Sequence, residues 1–386
     1  MNFVKRFVLI ALLCGLSTFS HGFEMVIFNV GQGNAIIIRH EDKALVVDFG
    51  RGLGWKKCTG TVLDAKMTNR SRLAVMVREF LKDVTSCNIV ASHMHKDHTD
   101  LFSFFKKTID SLPDLSIEGM LDGDGLDYQG ICDFFSTDLL GSDVKIVPIR
   151  PYNWEGVPKT STEAHNRNLV LKIIYAGRSL LLTGDASGDL LNRILPFDDM
   201  TDGAGHPITL PTGYDCAAMG DSLWDIDAIV VPHHGSNENG EFAWLSRVAT
   251  FVKSPKSKAP LLTIISSDPD GKNALPWRSV ESIVNLSTGR DGPCFIKPHE
   301  VRTTHERTRT KKPIFMTCCA ESGCYMVKII PTQSGDFLGH LALFDGLSSN
   351  GDRALYHAYP VMDSRPNSAP EKKFDINRVL FHMNPR

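Results

Sequence analysis

The sequence predicts an α/β protein whose sheets are covered by helices on their outer faces. Short β-branched runs alternate with Gly and Asp turns, helix-spaced segments fall between them, and the recognisable strand pairs lie only a turn apart. With 386 residues, the chain has enough length for one large or two ordinary domains. A hydrophobic share of 42% and a charged share of 22% exclude disorder, collagen and coiled coil. There is no internal repeat. Lys plus Arg total 42 against 44 Asp plus Glu, so no bulk field marks the whole protein as a nucleic-acid or membrane binder. Any such partner has to be held by a local site.

The first segment, residues 1–22, has Lys5 and Arg6, an apolar run from Phe7 to Leu16, and then small and polar residues. This is the pattern of a secretory signal peptide, with cleavage expected after Gly22 and a periplasmic or secreted mature protein. The apolar core of about ten residues falls short of the roughly 20 that span a bilayer, so no permanent membrane span is expected once the leader is removed. Cys14 follows Leu13, not the small residue that lipid attachment needs. Removal leaves 40 basic and 44 acidic residues, a charge of minus four, and eight cysteines, an even number compatible with disulfides.

After the leader, MVIFNV, GQGN, AIIIRH and ALVVDFG read as a hairpin and a third strand. A helix is predicted from Arg72 to Lys82, a buried strand at CNIVAS, and another helix from Leu101 to Leu112. Further strands are predicted at DVKIVPI, NLVLKIIYA, RSLLLTG, IDAIVVP and LLTIIS, with helices at Asp189–Leu195 and Trp277–Val284. The main domain is expected to cover 23–335. Beyond it the Asp, Ser, Asn and Pro content of 336–386 reads as a C-terminal tail or peripheral lobe.

The sharpest chemical signal is HMHKDH, which places His93, His95, Asp97 and His98 directly after the strand CNIVAS. Imidazole nitrogen and carboxylate oxygen are the ligands that Zn2+ and similar ions take. In an extended loop alternate residues point the same way, so His93 and His95 can grip one ion while Asp97 and His98 face a second. A solvated turn explains one histidine, but not four ligand-type residues in six positions. Three more segments add donors at strand ends: Asp185 in TGDA, His233 and His234 in VPHHGS, and His165 in AHNRN. Asp185 can equally be read as a helix N-cap. LDGDGLDY hints at calcium, but its spacing fails the usual loop pattern.

The order of HxHxDH, TGD and HHGS segments resembles the metallo-β-lactamase fold hydrolases, and within them the soluble hydrolase domain of ComEC-type DNA-uptake proteins. FNVGQGNAIII, VVDFG, NLVLKIIYAGRSLLLTGD and, more weakly, IISSDPDGKNALP and FMTCCAESGCYMVKI extend the likeness from about Phe23 to Ile330. It implies an αββα sandwich of two mixed sheets flanked by helices. It also implies two divalent ions, zinc by preference with manganese as the alternative. His93, His95 and His165 would hold the first ion; Asp97, His98 and one histidine of the 233/234 pair the second; Asp185 would bridge. Asp48 resembles the carboxylate that orients a ligand histidine in this family. The sequence departs from its relatives at Thr99, Asp100 and Leu101 after the histidine motif, and at Leu275 and Pro276 where they carry His-Pro.

Two cations about 3.5 to 4 Å apart lower the pKa of a shared water towards 7, so the implied chemistry is hydrolysis. Asp97 and His233 are the expected catalytic residues, His233 protonating a leaving group if His234 binds metal. Ser236 and the backbone at Gly235 can donate to a phosphate or simply form the turn. Within the family it resembles, the branch with a bridging Asp contains phosphodiesterases, nucleases and thioester hydrolases, and the ComEC likeness implies phosphodiester cleavage, of DNA or RNA among others. Lactone, thioester or β-lactam hydrolysis is the alternative, and a non-catalytic binding module the second alternative. Arg302, Arg307, Arg309, Lys311 and Lys312, set against Glu306 alone, form a strip suited to nucleic-acid phosphates or to a solvated hairpin arm.

Overall fold

The computed structural model describes residues 22–149 apart from 29, 53–54, 56–67 and 124–127, then 165–194 apart from 166, and 226–245 apart from 227, 237, 239 and 242. It further describes 262–266 and the backbone strands at 314–316, 325–331, 337–347 and 354–360. The signal-peptide core, the helix expected at Trp277–Val284, Leu275 and Pro276, and the strip Arg302, Arg307, Arg309, Lys311 and Lys312 lie outside the described residues. No helix among the described residues is long and apolar enough to cross a membrane.

Two mixed sheets stack face to face. The first contains β1 (Glu24–Phe28), β2 (Ala35–His40), β3 (Lys43–Phe49), β4 (Ser86–Ala91), β5 (Ser116–Asp122), β12 (Tyr325–Pro331), β13 (Phe337–Leu347) and β14 (Ala354–Pro360). Their order is β14-β13-β12-β1-β2-β3-β4-β5, with β3, β4 and β5 parallel and the other neighbours antiparallel. The second sheet runs β11 (Ile314–Met316), β10 (Leu262–Ile265), β9 (Ala228–Val230), β8 (Arg178–Leu182), β7 (Val170–Tyr175), β6 (Val144–Ile149). In it β8 to β11 are parallel, and β6, β7 and β8 antiparallel.

Strand periodicity explains the layering. Along β2, Ile36 and Ile38 point into the space between the sheets, where they meet Leu171, Ile173, Leu180 and Leu182. Ile37 points the other way, into a second apolar layer formed with helices. Helix α1 (Asn69–Leu81) offers Leu73, Met76, Val77, Phe80 and Leu81 to that layer, one stripe at helical spacing. The helix starts three residues before the predicted Arg72, because the Thr68 hydroxyl caps it by accepting from the Ser71 N–H at 3.2 Å. After the short α2 (Lys96–Thr99), helix α3 (Phe102–Ile109) adds Phe105 and Ile109. Each such fully buried side chain contributes on the order of 1.5–3 kcal/mol. Helix α4 (Tyr128–Phe135) packs beside β6 and sends Ile131 and Phe135 into the inter-sheet core, and α5 (Gly188–Ile194) follows β8. The architecture is the expected α/β sandwich of two mixed sheets with helices on their outer faces.

The stretch from 336, expected as a tail or lobe, supplies β13 and β14 at the edge of the first sheet, where β13 pairs with β12 from Tyr325↔Leu343 to Pro331↔Phe337. Its strand signal is hidden by the polar turns that surround it. Strand β5 and helix α4 are also absent from the prediction, because Gly119 and two acidic residues interrupt SIEGMLD and α4 follows the Asp-rich turn. Cys87 is free and buried, so the eight cysteines of the expected mature chain do not all pair; Cys132 is disulfide-bonded.

Candidate metal centre

Parallel strands end side by side, and here their carboxyl ends meet from both sheets. β3 ends at Asp48 and Phe49, β4 leads into Ser92 and the histidine loop, β8 into the TGD turn, β9 into the 233/234 pair, and β10 into Ser266. Hydrogen bonds lock these ends together: Leu169 N–H to the Ser92 carbonyl at 2.9 Å, Thr183 Oγ1 to the Val230 carbonyl at 2.6 Å, and His233 N–H to the Gly184 carbonyl at 2.9 Å. Ser266 Oγ donates to the Gly33 carbonyl at 2.7 Å and ties the second sheet to the GQGN loop of the first. Gly50 must be glycine, since a Cβ there would overlap the backbone of Asp97 and His98.

Two sets of donors result, each with its ligand atoms within 4.8 Å of one another: His93, His95, His165 and Asp185, and Asp97, His98, Asp185 and His234. Asp185 belongs to both. Its Oδ2 lies 4.0 Å from His93 Nε2 and 3.8 Å from His165 Nε2, and its Oδ1 lies 3.1 Å from His98 Nε2 and 3.4 Å from His234 Nε2. His234 Nε2 is also 3.7 Å from Asp97 Oδ2, and His165 Nε2 is 3.3 Å from His95 Nδ1. Asp185 is not the cap of α5; Ser187 takes that role, its Oγ accepting from Leu190 N–H at 3.1 Å. Asn168 holds Asp185 instead, accepting from its N–H at 2.9 Å while donating to the Thr183 carbonyl at 2.7 Å.

The outward nitrogens of the histidines are committed elsewhere. His98 Nδ1 lies 2.8 Å from Asp48 Oδ2, and His234 Nδ1 lies 2.7 Å from the Ser266 carbonyl. Asp48 itself is fully buried, adopts a left-handed φ of 57°, and also accepts from Asn34 Nδ2 at 3.0 Å and from Ser92 N–H at 2.6 Å. Those bonds leave His93 Nε2, His98 Nε2, His234 Nε2 and Asp185 Oδ1 buried, facing inward and without a hydrogen-bond partner. A buried polar atom left unpaired costs about 1–3 kcal/mol, and four in one place is what a cation-binding pocket presents. The residues therefore fit divalent metal ions, with imidazole and carboxylate as the donor set.

Electrostatics agree. Burial, followed by the neighbouring His98, holds the His93 pKa well below the ordinary histidine value, so the ring is neutral as a ligand must be. Burial, with His233 and His95 close by, lowers His165 to about 4 despite the attraction of Asp185. Burial opposes charge on Asp185 and Asp97 too, yet facing histidines overcome it and both carboxyls stay ionised: His98 and His234 for Asp185, His234 and His98 for Asp97. Burial likewise opposes charge on His98, but Asp185 and Asp48 on either side raise its pKa well above normal.

His233 is built differently. Its Nδ1 lies 2.8 Å from Oε1 of Glu241, a fully buried carboxylate, and its Nε2 is 4.0 Å from Asp185 Oδ2. Burial disfavours its charged form, but the bond to Glu241 and the field of Asp185 raise its pKa. The HHGS segment reaches this geometry through left-handed backbone at both His233 and His234, with φ of 49° and 53°. Ser236 is buried and forms the turn, its Oγ accepting from Glu238 N–H at 3.2 Å. Sequence reasoning missed Glu241, Asn168, Ser92 and Asn34. Of these, Asn34 in GQGN, Ser92 in CNIVAS and Asn168 in AHNRN stand in segments that had been singled out, and Glu241 does not.

No protein-family model matches the chain, and no curated protein does. Among solved structures it is similar to the metallo-β-lactamase fold protein YhfI from Bacillus subtilis, at 10% identity over 41% of this chain and 62% of that one, with a TM-score of 0.23. It is also similar to a long form RNase Z from yeast, at 10% identity over 55% of this chain and 38% of that one, with a TM-score of 0.27. The chain thus spans less than two thirds of either structure.

Proposed function

We propose that the protein is a binuclear-metal hydrolase of the periplasm or exterior that cleaves phosphodiesters, nucleic acid among them. The observation that carries this reading is the position of Asp185, shared by two complete donor sets around four buried, unpartnered ligand atoms. His93, His95, His165 and Asp185 would hold one cation, and Asp97, His98, His234 and Asp185 the other. Zinc fits imidazole-rich sites of this kind best, and bound cations there would supply Lewis acidity and an activated water.

The chain's own residues do the rest. Asp48 and the Ser266 carbonyl fix His98 and His234 with Nε2 turned inward. Asp97, 35% exposed at its side chain, sits at the rim, where a carboxylate can meet both cation and incoming substrate. His233, held at Nδ1 by Glu241 and raised in pKa, is the group that could pass a proton from Nε2 to the oxygen of a departing alkoxide. The basic strip from Arg302 to Lys312 would contact additional phosphates of a longer substrate.

The test is turnover by the purified chain of a chromogenic phosphodiester, single-stranded DNA, a thioester and a β-lactam, with and without chelator. Chelator-sensitive cleavage of the phosphodiester and DNA is expected. Turnover confined to the β-lactam or thioester would overturn the substrate assignment, and bound metal with no turnover on any of the four would favour a binding module.

A further inference from the structure

We propose that Ser92 is a positioning residue that carries the influence of the single buried carboxylate of Asp48 to the first metal position as well as the second. This rests on the binuclear reading above. His98, a ligand of the second position, contacts Asp48 Oδ2 directly at 2.8 Å. His93, a ligand of the first position, has no such bond; its Nδ1 lies 3.2 Å from Ser92 Oγ. Ser92 Oγ in turn donates to Asp48 Oδ2 at 2.8 Å, and the Ser92 N–H donates to Asp48 Oδ1 at 2.6 Å.

The donor and acceptor roles are forced. A hydroxyl has one proton, and Asp48 takes it, so Ser92 can only accept from the histidines. His98 Nδ1 stands 3.4 Å from Ser92 Oγ but is already committed to Asp48 at the shorter distance. An acceptor lone pair is therefore open to the Nδ1 proton of His93. The resulting chain runs from His93 Nδ1–H to Ser92 Oγ–H to Asp48 Oδ2, with His98 Nδ1–H arriving from the other side. It fixes the His93 tautomer that turns a bare Nε2 towards Asp185.

The Ser92 hydroxyl lies against the TGD turn. Ser92 is 2% exposed, and a Cβ at Gly184 in the TGD turn would come within 2.8 Å of its Oγ. Gly184 also has φ of 51°, so the turn that delivers Asp185 and the space for the Ser92 hydroxyl depend on the same glycine.

The experiment compares the wild-type chain, Ser92→Ala and Ser92→Thr, first as metal-free, 15N-histidine-labelled protein and then in zinc titration against a competing chelator. In the metal-free spectra His93 is identified by the signals lost in His93→Gln. Wild type and Ser92→Thr should show His93 protonated at Nδ1, and Ser92→Ala should show mixed tautomers. In the titration Ser92→Ala should lose about 10- to 100-fold in affinity at the first position, with little change at the second, where His98 keeps its direct bond to Asp48. Identical His93 signals in wild type and Ser92→Ala, or equal losses in the Ala and Thr variants, would overturn the proposal. A wild-type chain that takes up no zinc would refute the binuclear reading, and the metal-free spectra would still decide the role of Ser92.

Discussion

Replacing Asp48 by Asn removes one charge from the centre of the site and changes little else. Asn tolerates the left-handed backbone at this position about as well as Asp, so the variant isolates the side chain from backbone strain. Asp48 accepts from Ser92 N–H, Ser92 Oγ, Asn34 Nδ2 and His98 Nδ1, all at 2.6 to 3.0 Å. The amide oxygen of Asn can replace Oδ2 and keep three of these contacts, with its NH2 then facing the Ser92 N–H, or replace Oδ1 and keep only that one; either way NH2 stands opposite a donor. Hydrogen bonds to a charged group are worth about 1.5–3 kcal/mol each and are not additive, and breaking a buried charged pair costs about 3–5 kcal/mol. Urea unfolding of the metal-free protein should therefore show a loss of about 3–5 kcal/mol. Zinc affinity by chelator competition should fall about 10- to 100-fold, or about 1.4–2.8 kcal/mol, as His98 loses its orientation. An Asp48→Asn chain within about 1 kcal/mol of wild type in stability, with unchanged zinc affinity, would refute the role given to this carboxylate.

Other expectations follow from the same geometry. Zinc binding at pH 7 should release about one proton from His98, whose raised pKa keeps it charged without metal; calorimetry in buffers of different ionisation enthalpy would show this, and a buffer-independent heat would contradict it. His165 in the metal-free protein should titrate near pH 4 by NMR, not near the ordinary histidine value of 6.5. Because its folded pKa lies below the unfolded one, the unfolded chain binds more protons between these values; His165 thus contributes stability above pH 6.5 that is lost as pH falls towards 4. Glu241→Gln should leave zinc stoichiometry intact but slow turnover of phosphodiesters with poor leaving groups by about 10- to 100-fold while sparing nitrophenyl esters, and equal slowing of both would argue against proton donation by His233. Burial, helped by Glu118, pushes the Cys87 thiol up to about 12, so it should resist alkylation at pH 8 in the native protein and react in urea; rapid native labelling would contradict its placement.

The donor residues were legible in the sequence because their chemistry is local. HMHKDH crowds four ligand types at a strand end, and the glycine turns beside Asp185 and His234 announce where strands stop. The strands were legible for a similar reason, since AIIIRH and ALVVDFG are short apolar, β-branched runs bounded by turn residues. The supporting residues were not. Glu241 is eight positions from His233 along the chain and looks like any charged residue of a turn until the left-handed HHGS segment brings His233 Nδ1 onto it. Ser92 reads as the last letter of a strand, and only the approach of β3 to β4 gives its hydroxyl a carboxylate. Ser236 had two readings in sequence, and its burial selects the turn. Strands β13 and β14 were obscured because edge pairing is specified by the neighbour they join as much as by their own composition.

The most direct test of the two-cation centre is anomalous diffraction from crystals of the zinc-loaded protein. Two peaks are predicted, one within coordinating reach of His93, His95 and His165 and the other of Asp97, His98 and His234, with Asp185 touching both. A single peak, or none between these side chains, would contradict the account.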